Sequence, residues 1–182
     1  MADRTSGAFF SRTPRLPRFL SLPAAVVAPF LALAMPPTSA SAQNLIQDPG
    51  FEANGSGSVR PPWYVESGSV DIWPDGGNIP GGPPAHSGGY YANPVGGGGV
   101  LTQNVSLTKA GKYQFQFFYA AMAGQTWSLT AKVDGITVFT KSDITNATME
   151  SATSVVKLNA GSAQVLFDAG FISGPGFGEF AI

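Results

Sequence analysis

The feature that most constrains the fold is a strict alternation of aromatic and polar residues in the middle of the chain. In residues 112–122, which read KYQFQFFYAAM, an aromatic side chain recurs at every second position. The aromatic set is Tyr113, Phe115, Phe117 and Tyr119, and the polar set between them is Gln114 and Gln116. A period of two is that of a β-strand, whose successive side chains point to opposite faces. The segment therefore predicts a strand with its aromatic face in a core.

The same alternation recurs on both sides of a turn signal. Trp127 to Val133 alternates apolar and polar residues, Asp134-Gly135 follows, and Ile136 to Phe139 alternates again. An Asp-Gly pair between alternating runs predicts a hairpin, because both residues can take positive φ. Further strands are expected at Leu101–Val105, Ser154–Leu158, Ala163–Ala169 and Glu179–Ile182. No helical period appears after residue 43, so the chain predicts an all-β fold, an antiparallel β-sandwich or jelly roll.

The first 42 residues have the composition of an exported leader. Four arginines stand against one acid in residues 1–18, residues 19–35 are almost wholly apolar, and Ala40-Ser41-Ala42 ends the segment with small residues. These three parts are typical of a secretory signal peptide. A transmembrane anchor and a mitochondrial transit peptide are the alternatives, but prolines interrupt the apolar run, which is marginally short for a bilayer. We expect cleavage after Ala42 and one secreted domain, extracellular or periplasmic, over residues 43–182.

Removal of the leader changes the charge of the chain. Four of the ten basic residues and one of the eleven acids precede residue 43, which leaves six basic and ten acidic residues, a net charge of −4. Nucleic acid and anionic membrane surfaces attract basic proteins, so neither is expected as a partner. The chain has no cysteine, which excludes thiol catalysis, thiolate metal sites and disulfides. With disulfides excluded, a bound ion is the remaining candidate for an additional stabilising link in the domain.

Residues 74–99 differ in composition from the rest of the chain. Ten of the 23 glycines lie here, with few aliphatic residues. Such a stretch is typical of a solvated loop. Long loops also often carry a binding function, and Tyr90 and Tyr91 favour a binding loop held over the sheet.

An ordered set of short motifs resembles the CenC-type carbohydrate-binding modules, a family of galactose-binding-like β-jelly rolls. The motifs are Asn44-Leu45-Ile46, Pro49-Gly50-Phe51-Glu52, Pro62-Trp63, His86-Ser87-Gly88, Tyr90-Tyr91-Ala92, Leu101-Thr102-Gln103-Asn104-Val105, Gly111-Lys112-Tyr113-Gln114-Phe115, Val133-Asp134-Gly135 and Val165-Leu166-Phe167. Their order and spacing fit one module across nearly all of residues 43–182. The resemblance implies a jelly roll that binds polysaccharide or oligosaccharide without cleaving it.

The resemblance also implies a structural calcium, held by early and late carboxylates together with backbone carbonyls. By position Glu52 matches the early ligand. Family members usually continue past a phrase like Gly178-Glu179-Phe180-Ala181-Ile182 with an acidic pair, for which this sequence has no counterpart. We therefore expect a truncated last strand and half of a calcium site. The alternative is that Glu52 only caps a turn or is solvated.

Sugar sites combine aromatic platforms with hydrogen-bonding side chains. The candidate ligand-binding residues are Trp63, Trp73, Tyr90, Tyr91 and Gln103. Trp63 and Trp73 lie outside the strongly periodic strands, which predicts that they are exposed. Gln103 could bond sugar hydroxyls or could be an ordinary polar partner of the core.

Catalysis has little support in the sequence. His86 is the only histidine, and the acids Glu66, Asp71 and Asp75 are scattered, whereas a glycosidase needs two carboxylates in one cleft. We therefore expect a secreted, non-catalytic carbohydrate-binding protein that requires no cofactor. The alternatives are a structural or cell-surface jelly-roll protein without sugar binding, and a fragment of a secreted glycoside hydrolase.

Overall fold

The computed structural model describes residues 9–12, 43–77, 82–175 and 180–182, and within these ranges all regular structure is β-strand. The strands are β1 (Phe9–Arg12), β2 (Gly57–Ser58), β3 (Tyr64–Pro74), β4 (Tyr90–Leu107), β5 (Gly111–Ala121), β6 (Thr126–Val133), β7 (Ile136–Ile144), β8 (Glu150–Leu158), β9 (Gly161–Ser173) and β10 (Phe180–Ala181). They form two antiparallel sheets. The larger sheet has the order β2-β3-β4-β9-β6-β7, and in the smaller sheet β5 pairs with β8 on one edge and with β1 and β10 on the other.

The core lies between the two sheets and follows the alternation of the sequence. Phe115 and Phe117 of β5 pack against Phe167 of β9, with ring centroids 5.8 and 5.1 Å apart. Trp127 and the other alternate residues of β6 are fully buried. The Asp134-Gly135 turn has φ values of 51° and 75° and joins β6 to β7 with Val133 paired to Ile136. The predicted all-β, antiparallel sandwich is therefore confirmed, as is the predicted hairpin.

The last strand connects the two sheets. Phe180 and Ala181 pair with Ala121 and Ala120 of β5. The next residue, Ile182, exchanges two backbone hydrogen bonds with Ala92 of β4, at 3.2 and 3.1 Å. The end of the chain therefore lies between the two sheets, where Ile182 reaches the cleft described below.

The structure differs from the sequence prediction at two strands. The predicted loop is wrong for residues 90–99, which belong to β4 and pair with β3 and β9. Glycines permit this pairing, because a Cβ on Gly98, which has φ +139°, would lie 2.4 Å from the carbonyl oxygen of Ala169. Strand β3 was not predicted, because its first six residues are exposed on both faces and so lack an apolar period.

Of the predicted leader, the structure describes only Phe9–Arg12, which forms β1. The rest of residues 1–42 and residue Glu179 of the last predicted strand lie outside the described ranges. Cleavage after Ala42 and truncation of the last strand stay predictions. In the described part of the chain, no helix is long and apolar enough to cross a membrane.

Candidate functional site

A cleft opens at the edge of the sandwich where β5, the end of the chain and two loops meet. Its inner wall consists of buried core aromatics, namely Phe51, Trp63, Tyr91, Phe117 and Phe167. Its mouth is lined by more exposed residues, namely His86, Tyr90, Phe118, Met149 and Ile182. Pro49 and Gly50 complete the lining. Aromatic walls with a partly polar mouth are typical of ligand sites.

The inner wall is positioned by Asp48. Its carboxylate accepts hydrogen bonds from the backbone N–H of Ala53 at 3.0 Å and from Nδ2 of Asn54 at 2.7 Å. Its carbonyl oxygen accepts a bond from Nε1 of Trp63 at 3.0 Å. Asp48 and Phe51 both have positive φ, which winds the segment into a tight loop. This loop holds Phe51 against Trp63, with ring centroids 5.3 Å apart.

The mouth of the cleft is shaped by two stacked rings. The imidazole of His86 lies on the ring of Phe118, with centroids 3.3 Å apart and an interplanar angle of 19°. His86 is exposed, and Phe118 is half-buried on the outer face of β5. The two rings come from segments 32 positions apart in the sequence, so the loop before β4 folds over the small sheet. Together they present a flat aromatic surface beside the cleft.

The loop that carries His86 is fixed by Glu52. Its Oε1 accepts a hydrogen bond from the backbone N–H of Gly89 at 2.8 Å. The neighbouring Gly88 has φ +77°, and a Cβ at that position would lie 2.1 Å from the same oxygen. A second carboxylate holds the other side of the loop, because Oδ1 of Asp75 accepts the N–H of Ala85 at 2.8 Å. Glu52 therefore acts as the cap of a turn, one of the two roles that the sequence left open.

The described residues do not assemble a calcium shell around Glu52. Calcium takes six to eight oxygen ligands, with carboxylates supplying the charge. In the ranges that the structure describes, no group of three His, Cys, Asp or Glu residues could hold a metal ion. The structural calcium stays a prediction.

A polar surface continues from the mouth along the outer face of β5 and β8. Gln114 and Gln116 point to this face together with Phe118, and all three are half-buried. Their partners in β8 are Val155, Thr153 and Ser151, which are exposed. Amide and hydroxyl groups here lie next to an aromatic surface, which is a combination that can bind the hydroxyls and the C–H face of a sugar.

The structure places the five predicted ligand-binding residues in different environments. The expectation that Trp63 is exposed is wrong, because the residue is 1% exposed and its ring N–H donates to the carbonyl oxygen of Asp48. Tyr91 is also 1% exposed and, like Trp63, reaches the cleft only at its inner wall. Tyr90 is half-buried at the mouth. Trp73 is half-buried in β3 opposite Tyr91, and it is not among the residues that line the cleft.

Gln103 has a structural partner. Its Oε1 accepts the backbone N–H of Gln47 at 2.8 Å, and its Nε2 donates to the carbonyl of the same residue at 2.8 Å. The Gln103 amide thus pairs with the backbone of Gln47 in the way that a neighbouring strand would. Because it is 1% exposed and both ends of its amide are occupied, the structural role that the sequence left open applies.

Phe118 and Met149 line the cleft and were not predicted from the sequence. A signal for Phe118 was present, because two consecutive phenylalanines interrupt the alternation of β5 and one of them must point outward with Gln114 and Gln116. Met149 precedes β8, and no local pattern marks it. Its place in the cleft comes only from the pairing of β8 with β5.

A charged cluster lies beyond Met149 and connects the two sheets. Nζ of Lys141 in β7 lies 2.8 Å from Oε2 of Glu150 in β8, and the hydroxyl of Tyr119 donates to the same oxygen at 2.7 Å. The hydrogen bond between Lys141 and Glu150 lowers the pKa of Glu150 and raises the pKa of Lys141. Burial, reinforced by the bond to Glu150, raises the pKa of Tyr119. Both carboxylate and ammonium are therefore held in their charged forms.

Comparison with known proteins bears on the fold. No protein-family model and no curated protein sequence matches the chain. The solved structure of TmCBM61 in complex with β-1,4-galactotriose is similar, with a TM-score of 0.54 and 21% identity over 77% of this chain and 95% of that one. A family 35 carbohydrate-binding module from Clostridium thermocellum gives a TM-score of 0.39 with 20% identity, over 65% of this chain and 85% of that one. The chain therefore shares the β-jelly-roll fold of a carbohydrate-binding module.

Proposed function

We propose that this protein binds carbohydrate without cleaving it, and that the ligand occupies the cleft between His86, Tyr90, Phe118 and Met149. The observation that supports this most is the arrangement of flat rings at the mouth of an aromatic-walled cleft beside a row of glutamine and hydroxyl side chains. Sugar rings have apolar C–H faces that stack on aromatic rings and hydroxyls that bond amides. The jelly-roll fold agrees with this function but does not by itself establish it.

The family and the localisation of the protein belong to the same proposal. The chain is a CenC-type module, on the strength of the ordered motifs described above. It is also a secreted protein, extracellular or periplasmic, on the strength of the leader over residues 1–42.

The chemistry of the lining favours binding over hydrolysis. Glycoside hydrolysis uses two carboxylates that face each other across the scissile bond. The described residues that line the cleft include no Asp or Glu. The nearby acids Asp48 and Glu52 already accept backbone hydrogen bonds that hold the two loops.

The test is affinity electrophoresis of the chain through gels that contain soluble polysaccharides of different backbone, with a pull-down on insoluble ones. Tyr90→Ala and Phe118→Ala each remove one ring at the mouth and should weaken binding about fivefold, since an aromatic contact contributes on the order of 1 kcal/mol. Tyr64→Ala is the matched control, because Tyr64 is 54% exposed and does not line the cleft.

Retardation by at least one polysaccharide, reduced in the two mouth variants and kept in Tyr64→Ala, supports the proposal. Uniform mobility of the wild-type chain across the whole panel rejects sugar binding and favours a structural jelly-roll protein. Retardation that Tyr64→Ala abolishes while Tyr90→Ala keeps it would place the site elsewhere. Release of reducing sugar by the wild-type chain would revive the hydrolase alternative.

A further inference from the structure

Two lysines face each other on the outer face of the small sheet. In the antiparallel ladder of β5 and β8, Lys112 lies directly opposite Lys157, and both side chains are exposed. Residues in that arrangement have Cβ atoms about 5 Å apart, and a like-charged pair there destabilises the sheet. The one ion pair among the described residues, Lys141 with Glu150, lies at the other end of β8. The two facing lysines therefore repel each other without a described carboxylate to offset their charge.

The surroundings add a third cation to this pair. Lys109 is exposed in the turn before β5, and its carbonyl oxygen accepts the hydroxyl of Tyr113. Three of the six basic residues in 43–182 therefore lie at one end of the small sheet. Asp134, at the same end of the sandwich, belongs to the turn between β6 and β7 of the other sheet. Exposed charges act within a Debye length of about 10 Å, so a basic end can exist in a domain of net charge −4.

The lysine pair lies on the same face as the aromatic mouth of the cleft. Alternate residues of a strand share a face, so β5 contributes one row to this surface and β8 a second row. The row of β5 is Lys112, Gln114, Gln116 and Phe118, and their partners in β8 are Lys157, Val155, Thr153 and Ser151. At about 3.4 Å per residue, Lys112 lies about 20 Å along the strand from Phe118. An extended oligosaccharide that leaves the cleft at Phe118 can follow this surface to the lysine pair.

We propose that Lys112 and Lys157 form an anion subsite for an acidic polysaccharide, whose chain lies along the outer face of β5 and β8 and stacks a sugar ring at Phe118. The inference rests on the proposed sugar binding and adds the class of ligand, namely sugars that carry carboxylate or sulfate groups. An anion between the two ammonium groups is attracted by both and offsets their mutual repulsion. The described residues that line the cleft include no Lys or Arg, so the cleft does not supply this selectivity.

The experiment compares polysaccharides that share a backbone and differ in charge. Affinity electrophoresis of the full chain, referred to its mobility in gels without polysaccharide, sets polygalacturonate against its methyl ester and dextran sulfate against dextran. The first pair tests a carboxylate and the second a sulfate. The charged member of at least one pair should bind about tenfold more tightly than its neutral counterpart, since two exposed ion pairs form. This excess should fall as the salt concentration rises, because salt screens exposed charges.

Single substitutions locate the source of the excess affinity. Lys112→Gln and Lys157→Gln should each lower it about threefold, because each removes one ammonium group. Lys132→Gln is the matched control, since it makes the same change in net charge on the outer face of the large sheet, where Lys132 pairs with Leu166. The control should bind the charged polysaccharide as the wild-type chain does.

A charge reversal separates loss of the subsite from loss of the fold. Lys157→Glu places opposite charges across the ladder, so at low salt this variant should be at least as stable to urea as the wild-type chain. The excess affinity for the charged polysaccharide should nevertheless disappear. The charged polysaccharide should also raise the melting temperature of the wild-type chain more than that of Lys157→Glu, because only the former holds the anion between two lysines.

Equal binding of the charged and neutral members of both pairs would overturn the proposal. An excess that Lys132→Gln lowers as much as Lys112→Gln does would also overturn it, because the charge of the whole chain would then decide binding. If oligothymidylate binds through the two lysines and no polysaccharide does, the subsite takes nucleic acid and the proposal is wrong.

The subsite and the proposed function fail in different ways. Retardation by neutral and charged polysaccharides alike leaves sugar binding in place and refutes the anion subsite alone. A lysine-dependent excess that survives in Phe118→Ala supports the anion subsite and counts against the cleft as the place where the sugar ring stacks.

Discussion

Substitution of Gly88 by alanine tests how the loop over the cleft is held. The first contribution is conformational, because Gly88 has φ +77°, where a Cβ costs about 1 kcal/mol. The second is steric, because the new Cβ would lie 2.1 Å from Oε1 of Glu52 and would displace the carboxylate. Displacement breaks the 2.8 Å bond from Gly89, which at this exposed site contributes about 1 kcal/mol. Gly88→Ala should therefore lower the free energy of unfolding by about 2 kcal/mol, or the melting temperature by about 6 °C.

The stability losses caused by Gly88→Ala and Glu52→Ala should not be additive. Glu52→Ala alone should cost about 1 kcal/mol, since it removes the same hydrogen bond. In the double variant that bond can be lost only once, so the total should stay near 2 kcal/mol instead of reaching the sum of about 3. Gly76→Ala is the matched control, because Gly76 has φ +80° with nothing within 4 Å of the added Cβ, and it should cost about 1 kcal/mol.

Urea denaturation of the four variants and the wild-type chain measures these values. An additive double variant, or a Gly88→Ala variant no less stable than Gly76→Ala, would refute the contact between Glu52 and Gly88. The same set tests the calcium prediction. If Glu52 is a calcium ligand, millimolar calcium raises the melting temperature of the wild-type chain and not of Glu52→Ala, whereas a pure turn cap leaves both unchanged.

Two further predictions concern stability elsewhere in the chain. The lowered pKa of Glu150 means that its charged form stabilises the fold above its ordinary pKa, and that this contribution disappears as the pH falls through the lowered value. The raised pKa of Lys141 means that its contribution is lost only as the pH rises through that higher value. Both side chains are about two-fifths exposed, so Glu150→Gln should remove less than about 1 kcal/mol together with part of the acid dependence, and an unchanged pH profile of the melting temperature would contradict this. Trp63→Phe should cost about 2–3 kcal/mol in urea denaturation, because it removes the bond to Asp48 and leaves a void, and a loss under 1 kcal/mol would contradict the buried position.

Part of the site was predictable from the sequence and part was not. Tyr90 was predicted as a ligand-binding residue and lies at the mouth of the cleft. Trp63 and Gln103 were misjudged because neither a tryptophan before a strand nor a glutamine within one reveals its partner. Their hydrogen bonds join segments 15 and 56 positions apart. Nothing local in the sequence reports contacts over such distances.

The sequence by itself determined the class of fold and the facing of its strands. Period-two alternation sets which side chains share a face, and an Asp-Gly pair sets a hairpin, because both depend only on local backbone geometry. The tertiary structure alone decided where the cleft forms. It brought His86 onto Phe118 and joined Glu52 to Gly89 over 37 positions. Those arrangements depend on how loops and chain ends pack across two sheets, and the packing energy of distant segments is not written in any local pattern.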